Sequence, residues 1–194
     1  MISELIFATN NNHKLAEINE ICDATKLKII SLQDAGINID IEEPYNTLHE
    51  NAAEKCRVIY ELTHKNCFAE DTGLEIAALN GEPGVRSARY AGSHGNSNAN
   101  MDKVLAAMQG ELNRKARFRT VIAFMQNATT YYFEGICNGT IAITKSGTSG
   151  FGYDPIFIPD GYTISFAELD KSIKSNISHR KLAFEKLSIF LNTL

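Results

Sequence analysis

The most constraining feature of the sequence is the pattern of its first 32 residues, which predicts a strand, a helix and a second strand in succession. Residues 5–8 are a short apolar run typical of a buried strand, and residues 27–32 are another. Between them, residues 14–24 place apolar side chains at helical spacing. This β-α-β opening predicts an α/β fold.

The rest of the chain contains further helix-like segments and then two long strands. Residues 48–62 and 101–108 have the spacing of amphipathic helices. Residues 117–125 and 130–143 look like long strands joined by a turn, which suggests an antiparallel pair. The other predicted elements are short strands at residues 67–69 and 74–79 around a turn at residues 71–73, and a final helix at residues 178–191. Since the sequence contains no repeat or linker, we predict one domain over residues 1–194 with a mixed sheet.

The overall charge and composition exclude several functional classes. A formal net charge of −4 over 194 residues argues against binding along a nucleic-acid backbone, which requires the neutralisation of several phosphates. No apolar run approaches the roughly 20 residues that a membrane span requires. The cysteines are Cys22, Cys56, Cys67 and Cys137. Their scattered positions favour small buried hydrophobic side chains over disulfides or metal ligands. We therefore expect a cytoplasmic protein that contacts neither nucleic acid nor a membrane, and a small anionic ligand is compatible with this charge.

A polar loop follows the first predicted strand. It consists of Thr9, Asn10, Asn11, Asn12, His13 and Lys14. Asparagine is frequent at helix caps, but one cap requires only one asparagine. Open α/β sheets bind ligands at strand ends, and the N-terminus of a helix attracts phosphate through its unpaired N–H groups. The loop therefore predicts a phosphate site, although it lacks the G-x-x-x-x-G-K-[ST] pattern of a P-loop.

Acidic residues occur in two further segments, IEEPYNTLHENAAEK and FAEDTG. Glu42 and Glu43 precede a predicted helix, where acidic residues usually form a solvated face or interact with the helix dipole. Asp71 instead follows an apolar stretch and is predicted at a strand end, which suits a metal ligand or a general base. Carboxylate oxygens of this type favour Mg²⁺. Histidines in unrelated contexts predict no zinc site: His13, His49, His64 and His94.

A glycine-rich segment, SGTSGFGYDP, and a later segment, KSNISHRK, contain groups that suit a purine. Phe151 or Tyr153 can stack on a base, and Asp154 can accept a hydrogen bond from a ring N–H. The guanidinium of Arg180 can donate to O6 and N7 of a purine. A simpler interpretation stays open, in which the aromatic residues belong to the core and Ser178 caps the final helix.

On these motifs the sequence resembles the inosine triphosphate pyrophosphatase family, which hydrolyses deaminated purine nucleoside triphosphates to the monophosphate and pyrophosphate. The T-x-N-x-x-K element of that family is present as Thr9, Asn11 and Lys14. The other matching segments are ENAAEK (50–55), FAEDTG (68–73), PGVRSARYAG (83–92), GFGYDPIF (150–157) and SHR (178–180). The resemblance spans nearly the whole chain. It implies an elongated mixed β-sheet flanked by helices, two lobes with a nucleotide-binding cleft between them, and usually a homodimer.

The resemblance also implies three groups of site residues. The triphosphate contacts that it implies are Thr9, Asn11, Lys14, Lys55 and Lys174, and the rest of the loop, Asn10, Asn12 and His13, is included as substrate-binding. Glu43 and Asp71 would hold Mg²⁺, and Asp71 would also accept a proton from the attacking water. Thr72 would lie beside the substrate. The base pocket would be lined by Phe151, Gly152, Tyr153, Asp154, His179 and Arg180.

The sequence departs from the family pattern at a few positions. The loop at residues 9–14 is poorer in glycine, and Glu70 stands where an aspartate is frequent. Lys181 follows SHR where glycine is common. Whether Glu42 or Glu43 is the second metal ligand stays open.

Two alternatives to a purine triphosphate pyrophosphatase also stay open. One is a pyrophosphatase for modified pyrimidine nucleotides, and the other is a nucleotide sensor without catalysis, against which the presence of Asp71, Glu43 and Lys14 counts. Paired donors and acceptors from Arg180 and Asp154 would reject adenine, because buried polar groups would be left unpaired. No residue pattern indicates how guanine is excluded. The preference for inosine and xanthosine triphosphates therefore comes from the resemblance alone.

Overall fold

The computed structural model of the protein describes residues 2–23, 25–92 and 95–194. Residue 24, at the predicted end of the first helix, and His94 lie outside this part of the chain. Helices and strands succeed each other along the sequence, and the predicted α/β class is confirmed.

The β-α-β opening is present as predicted. Strand β1 (Glu4–Phe7) leads into helix α1 (Asn12–Ile21), after which the chain forms strand β2 (Lys28–Ser31). The two strands are parallel, with Phe7 opposite Ser31. The apolar residues of β1 are buried, as the pattern of the sequence indicates.

The later elements match the long predicted segments and add short ones. The remaining helices are α2 (Leu48–Thr63), α3 (Ser97–Ala107), α4 (Lys171–Ile177) and α5 (His179–Leu191). The remaining strands are β3 (Cys67–Ile76), β4 (Pro83–Gly84), β5 (Lys115–Gln126), β6 (Thr129–Ile141) and β7 (Phe157–Pro159). Helix α4 and strands β4 and β7 were not predicted, because elements this short show little periodicity. No helix in the described part of the chain has the length and apolar character needed to cross a membrane.

Strand β3 corrects the prediction of two short strands around a turn. It runs without interruption through Asp71, Thr72 and Gly73, so Asp71 lies inside a strand and not at its end. Gly73 allows the close approach of β4, since a Cβ at this position would lie 2.5 Å from the carbonyl oxygen of Gly84. In the sequence, a glycine that permits close strand packing resembles a glycine that permits a turn.

The strands form a seven-stranded mixed sheet in the order β2-β1-β3-β5-β6-β7, with β4 paired to β3. Strand β1 is parallel to both β2 and β3, whereas the pairs β3–β4 and β6–β7 are antiparallel. Strands β5 and β6 are connected through Asn127 and Ala128, both with positive φ, as in a tight hairpin turn. The predicted mixed sheet and the predicted turn are therefore confirmed.

The chain forms two compact units, each with its own core. The first consists of Met1–Asp71, Thr120–Gly135 and Arg180–Leu194, and the second of Thr72–Arg119 and Ile136–His179. The core of the first unit includes Leu5, Phe7, Ile18, Phe68, Ile122, Phe124 and Leu187. The core of the second includes Leu74, Ile76, Val104, Met108, Phe118, Phe157 and Phe166. That the two units make up one domain stays a prediction.

The cysteines are thiols, and their burial agrees with the small hydrophobic role predicted for them. Cys56, Cys67 and Cys137 are buried, and Cys22 is partly exposed. Hydrogen bonding with Cys67 and burial raise the pKa of the Cys56 thiol, whose sulfur lies 3.6 Å from that of Cys67. Thiols of this kind are chemically inert.

Replacing Gly73 by alanine should destabilise the protein, because the added Cβ would overlap the carbonyl group of Gly84. We expect the free energy of unfolding to fall by about 1–3 kcal/mol, the usual cost of overpacking. Urea unfolding measures the change, with Ser172→Ala at an exposed position of α4 as the control. A Gly73→Ala protein as stable as the wild type would contradict the close approach of β4.

Candidate active site

The polar loop at residues 9–14 is held in shape by hydrogen bonds to its own backbone. Asn11 caps helix α1, since its Oδ1 accepts from the N–H groups of His13 and Lys14 at 3.0 and 3.2 Å. The hydroxyl of Thr9 accepts from the N–H of Asn11 at 3.1 Å. Asn11 is therefore the helix cap, which leaves the other polar residues of the loop without a capping role.

The other residues of the loop have different surroundings. The Nδ2 of Asn10 donates to the carbonyl oxygen of Ile39 at 2.9 Å and connects the loop to the segment that precedes Glu43. Asn12 and His13 are exposed in the first turn of α1. Lys14, in contrast, extends to a buried carboxylate.

That carboxylate belongs to Glu70 of β3, which lies between two cations. Its side chain has no exposed surface, and its Oε1 lies 3.3 Å from Nζ of Lys14. Arg180, in the first turn of α5, donates from Nε to both oxygens of Glu70 at 3.0 and 2.9 Å, and from Nη2 to Oε1 at 2.7 Å. Its Nη1 donates to Glu17 of α1. The donor fork expected to read a purine is thus directed at carboxylates, and Arg180 lies with the triphosphate candidates of the first unit.

Burial and charge pairing act in opposite directions on these cations. For Lys14, burial is the larger effect and lowers the pKa below its usual value, although the charge of Glu70 opposes the shift. Burial also acts to lower the pKa of Arg180, but Glu70 and Glu17 together raise it above its usual value. Arg180 therefore stays charged, whereas the charge of Lys14 depends on its carboxylate partner.

The two carboxylates expected to hold Mg²⁺ share one lysine. Lys55, buried on α2, contacts Oε1 of Glu43, and its Nζ lies 3.5 Å from Oδ1 of Asp71. Asn51, one helical turn earlier, donates from Nδ2 to Oδ2 of Asp71 at 3.4 Å. Glu42 is exposed, so the structure favours Glu43 over Glu42 as the partner of Asp71.

The chemistry of these side chains fits Mg²⁺. Glu43 and Asp71 offer hard carboxylate oxygens, the ligands that this ion prefers. In residues 2–23, 25–92 and 95–194, no group of three or more His, Cys, Asp or Glu side chains is arranged to hold a metal ion. Mg²⁺ commonly binds through one or two carboxylates and completes its shell with water and substrate phosphate oxygens. The two carboxylates therefore suit a metal that binds together with phosphate.

The pKa values of Asp71 and Lys55 are both raised, for different reasons. Burial raises the pKa of Asp71, and the positive charges of Lys55 and Lys14 reduce this shift without cancelling it. Burial acts to lower the pKa of Lys55, but the charges of Asp71 and Glu43 outweigh it. A carboxylate with a raised pKa accepts a proton more readily than an ordinary aspartate, as a general base must.

In the second unit, Asp154 connects candidate residues of the base pocket. Its Oδ2 accepts from the N–H of Phe151 at 2.8 Å and from Nζ of Lys174 at 2.6 Å. The same Nζ lies 5.3 Å from the centroid of the Phe151 ring, within range of a cation–π interaction. Gly150 has a φ of 77°, and a Cβ there would lie 2.0 Å from Oδ2 of Asp154. Lys174, which the resemblance assigned to the triphosphate, is thus placed with residues assigned to the base.

The aromatic candidates differ in accessibility. Tyr153 is only 4% exposed, and its hydroxyl donates to the carbonyl oxygen of Ser87 at 2.8 Å, so it belongs to the core of the second unit. His179 is also buried and stacks on Phe118, with 4.6 Å between the ring centroids. Phe151 is half-buried. Phe151 is therefore better placed than Tyr153 to stack on a base.

The predicted site residues thus fall into two groups. Those in the first unit are Thr9, Asn10, Asn11, Asn12, His13, Lys14, Glu43, Lys55, Asp71 and Arg180. Those in the second are Thr72, Phe151, Gly152, Tyr153, Asp154, Lys174 and His179.

Several residues of these clusters were not predicted as site residues, among them Glu70, which was noted only as standing where an aspartate is frequent. Glu17 lies one helical turn after Lys14 on α1, and Asn51 lies one turn before Lys55 on α2. Spacings of three and four residues on a helix place side chains on the same face, and this signal identifies both positions. Ser87 has no comparable signal, because its contact with Tyr153 joins residues 66 positions apart.

Comparison with known proteins assigns the family. The sequence model of the Ham1 family matches residues 5–190. The chain belongs to the Ham1 family. A relative from Porphyromonas gingivalis, named dITP/XTP pyrophosphatase, is 48% identical over 191 residues, and the match covers 98% of both chains.

Solved structures support the membership in the Ham1 family. The HAM1 protein from Coxiella burnetii matches with a TM-score of 0.90 and 39% identity over all of both chains. A nucleoside-triphosphatase or dITP/XTP pyrophosphatase from Mycobacterium abscessus matches with a TM-score of 0.78 and 35% identity, covering 95% of this chain and 98% of the other. The predicted fold class and the resemblance to triphosphate pyrophosphatases are therefore confirmed.

In this Ham1 protein, replacing Tyr153 by phenylalanine should weaken the fold and leave nucleotide binding intact, because its hydroxyl bonds to Ser87 inside the second unit. We expect the free energy of unfolding to fall by about 1 kcal/mol. Tyr90→Phe is the matched control, since the Tyr90 hydroxyl donates to the exposed Glu82 and its loss should matter less. Unchanged stability together with weakened nucleotide binding would instead assign the Tyr153 hydroxyl to the ligand.

Proposed function

We propose that this protein hydrolyses noncanonical purine nucleoside triphosphates, namely those of inosine and xanthosine in their ribose and deoxyribose forms. The products are the nucleoside monophosphate and pyrophosphate. Hydrolysis would keep deaminated purines out of the pool from which DNA and RNA are made. The relatives named dITP/XTP pyrophosphatase support this substrate class.

The observation that carries the proposal is the group formed by the buried Lys55 and Asp71 and the partly exposed Glu43. A buried aspartate beside a lysine and a second carboxylate combines a proton acceptor, positive charge for phosphate, and oxygen ligands for a divalent metal. Lys14, at the first turn of α1, adds a second cation in the same unit. A protein that only binds nucleotides has no need of a proton acceptor with a raised pKa.

The reaction begins with in-line attack of water on the α-phosphorus. As the new oxygen–phosphorus bond forms, the bond from the α-phosphorus to the bridging oxygen of the β-phosphate breaks. Asp71 accepts the proton that the water loses, and pyrophosphate leaves toward Lys14 and Lys55. The lysines offset the negative charge that spreads over the phosphate oxygens in the transition state, which is usually the largest contribution to the rate.

Mg²⁺, held by Glu43 and Asp71, would supply additional positive charge to the phosphate oxygens. Lys55 contacts both of these carboxylates, so binding of a triphosphate offers its ammonium group a new partner. Asn51 keeps Asp71 oriented through the hydrogen bond to Oδ2.

The residues of the second unit suit recognition of the base. Lys174 and Asp154 present a donor and an acceptor side by side, and Phe151 adds an aromatic face. Hypoxanthine and xanthine present an acceptor at O6 and a donor at N1, whereas adenine presents the reverse. Adenine would therefore leave polar groups unpaired, which costs affinity.

We also propose that the protein acts in the cytoplasm as a homodimer, as the resemblance implies. Exposed apolar side chains that are compatible with an interface are Leu62, Leu112, Ile143 and Ile189.

A panel of nucleotides tests the proposed function. Pyrophosphate release is measured with Mg²⁺ from inosine, xanthosine, guanosine, adenosine and deoxyuridine triphosphates at equal concentration. We expect rapid release from the first two and little from the others. Release mainly from deoxyuridine triphosphate would indicate a pyrimidine enzyme, and binding without release would indicate a sensor.

The variant Asp71→Asn should nearly abolish pyrophosphate release, because the amide keeps the shape of the side chain but does not accept the proton. Loss of a general base reduces kcat by about 10²–10⁴-fold. Glu42→Gln makes the same change at an exposed carboxylate and should retain activity. Near-normal turnover by a folded Asp71→Asn protein would exclude Asp71 as base and as essential ligand.

A further inference from the structure

Arg180 and Glu70 form a deeply buried ion pair in the first unit. The side chain of Arg180 is 1% exposed and that of Glu70 has no exposed surface. Three hydrogen-bond contacts of 2.7–3.0 Å join the guanidinium to the carboxylate. A planar pairing of this kind fixes the orientation of both groups.

The pair belongs to a closed chain of contacts that begins and ends on helix α1. Lys14 contacts Glu70 on β3, Glu70 binds Arg180 on α5, and Arg180 donates to Glu17. Glu17 lies three residues after Lys14, one turn along the same helix. The first two turns of α1 are therefore attached to β3 through Lys14 and to α5 through Glu17.

The charges of the four side chains in this series of contacts cancel, but both cations contact the same carboxylate, Glu70. Lys14 and Arg180 carry two positive charges, and Glu17 and Glu70 carry two negative charges. Glu70 is already neutralised by the guanidinium, so its burial does not require a second cation. Its contact with Lys14 is better explained by what it does for the lysine, whose long side chain otherwise samples many rotamers.

We propose that Glu70 and Arg180 are positioning residues for Lys14. Arg180, attached to Glu17, fixes the carboxylate of Glu70, and Glu70 holds the ammonium group of Lys14 at the end of the loop formed by residues 9–14. The inference rests on the proposed function in taking Lys14 as a triphosphate contact. It also assigns Arg180 to the triphosphate side of the site and not to recognition of the base.

A double-mutant cycle tests the coupling of Glu70 to Lys14. The variants are Glu70→Gln, Lys14→Met and the double variant, and the measurement is the affinity for inorganic tripolyphosphate by calorimetry, which involves no base. Glu70→Gln should weaken binding about tenfold in the wild-type background, the loss typical of one charge-assisted hydrogen bond. In the Lys14→Met background it should have little further effect. Equal losses in both backgrounds would overturn the proposal.

Two further variants keep the test valid if Glu70→Gln unfolds. Glu70→Asp keeps the charge but shortens the side chain, so it replaces Glu70→Gln in the cycle. It should weaken tripolyphosphate binding in the wild-type background and have little further effect in the Lys14→Met background. Glu54→Gln removes a carboxylate from the Arg57 pair on the surface of α2, and it should change neither affinity nor stability. Equal weakening by Glu70→Asp in the wild-type and Lys14→Met backgrounds would show that Glu70 does not act through Lys14 and would overturn the proposal.

Arg180→Lys distinguishes positioning from recognition of the base. It should weaken tripolyphosphate binding and leave unchanged the ratio of kcat/KM for inosine and adenosine triphosphates. Unchanged tripolyphosphate binding with an altered ratio would assign Arg180 to the base and overturn the proposal. Absence of pyrophosphate release by the wild type, with the cycle still coupled, would reject only the proposed function.

Discussion

A charged side chain is stable inside a protein only when it is paired, because removing an isolated charge from water is costly. This constraint organises the first unit around Glu70, which is completely buried with Arg180 and Lys14 beside it. The pairing joins three elements: α1, which follows the polar loop, β3, which contains Glu70 and Asp71, and α5, which begins within the SHR segment. The positions of the candidate catalytic groups therefore depend on it.

The sequence predicts those parts of the fold that have periodic patterns. The opening through β1, α1 and β2 and the hairpin of β5 and β6 follow from apolar spacing and from turn residues. The prediction was wrong at residues 71–73, because a glycine required by the carbonyl group of Gly84 looks the same as a glycine required by a turn. The seven-residue helix α4 is too short to show a distinct period.

In the site, the sequence predicts which residue types are present but not which side chains contact each other. The sequence identifies Asp71 and Lys14 as chemically suitable from their places after predicted strands, and the resemblance to the family adds Lys55. It does not predict that the fork of Arg180 binds Glu70, a contact between residues 110 positions apart. A guanidinium suits a carboxylate as well as a purine, so only the fold decides which of the two it meets.

The balance of charge in the first unit gives a physical reason for a divalent metal. Around Lys14, Lys55 and Arg180, the described side chains that pair with these cations are four carboxylates: Glu17, Glu43, Glu70 and Asp71. This group carries one excess negative charge, and a triphosphate adds several more. When Lys55 turns to phosphate, the buried Asp71 needs another positive partner, since a buried carboxylate that loses its partner is strongly destabilised. A divalent cation that arrives with the nucleotide would give Asp71 this partner and offset the added charge, which supports the proposed use of Mg²⁺.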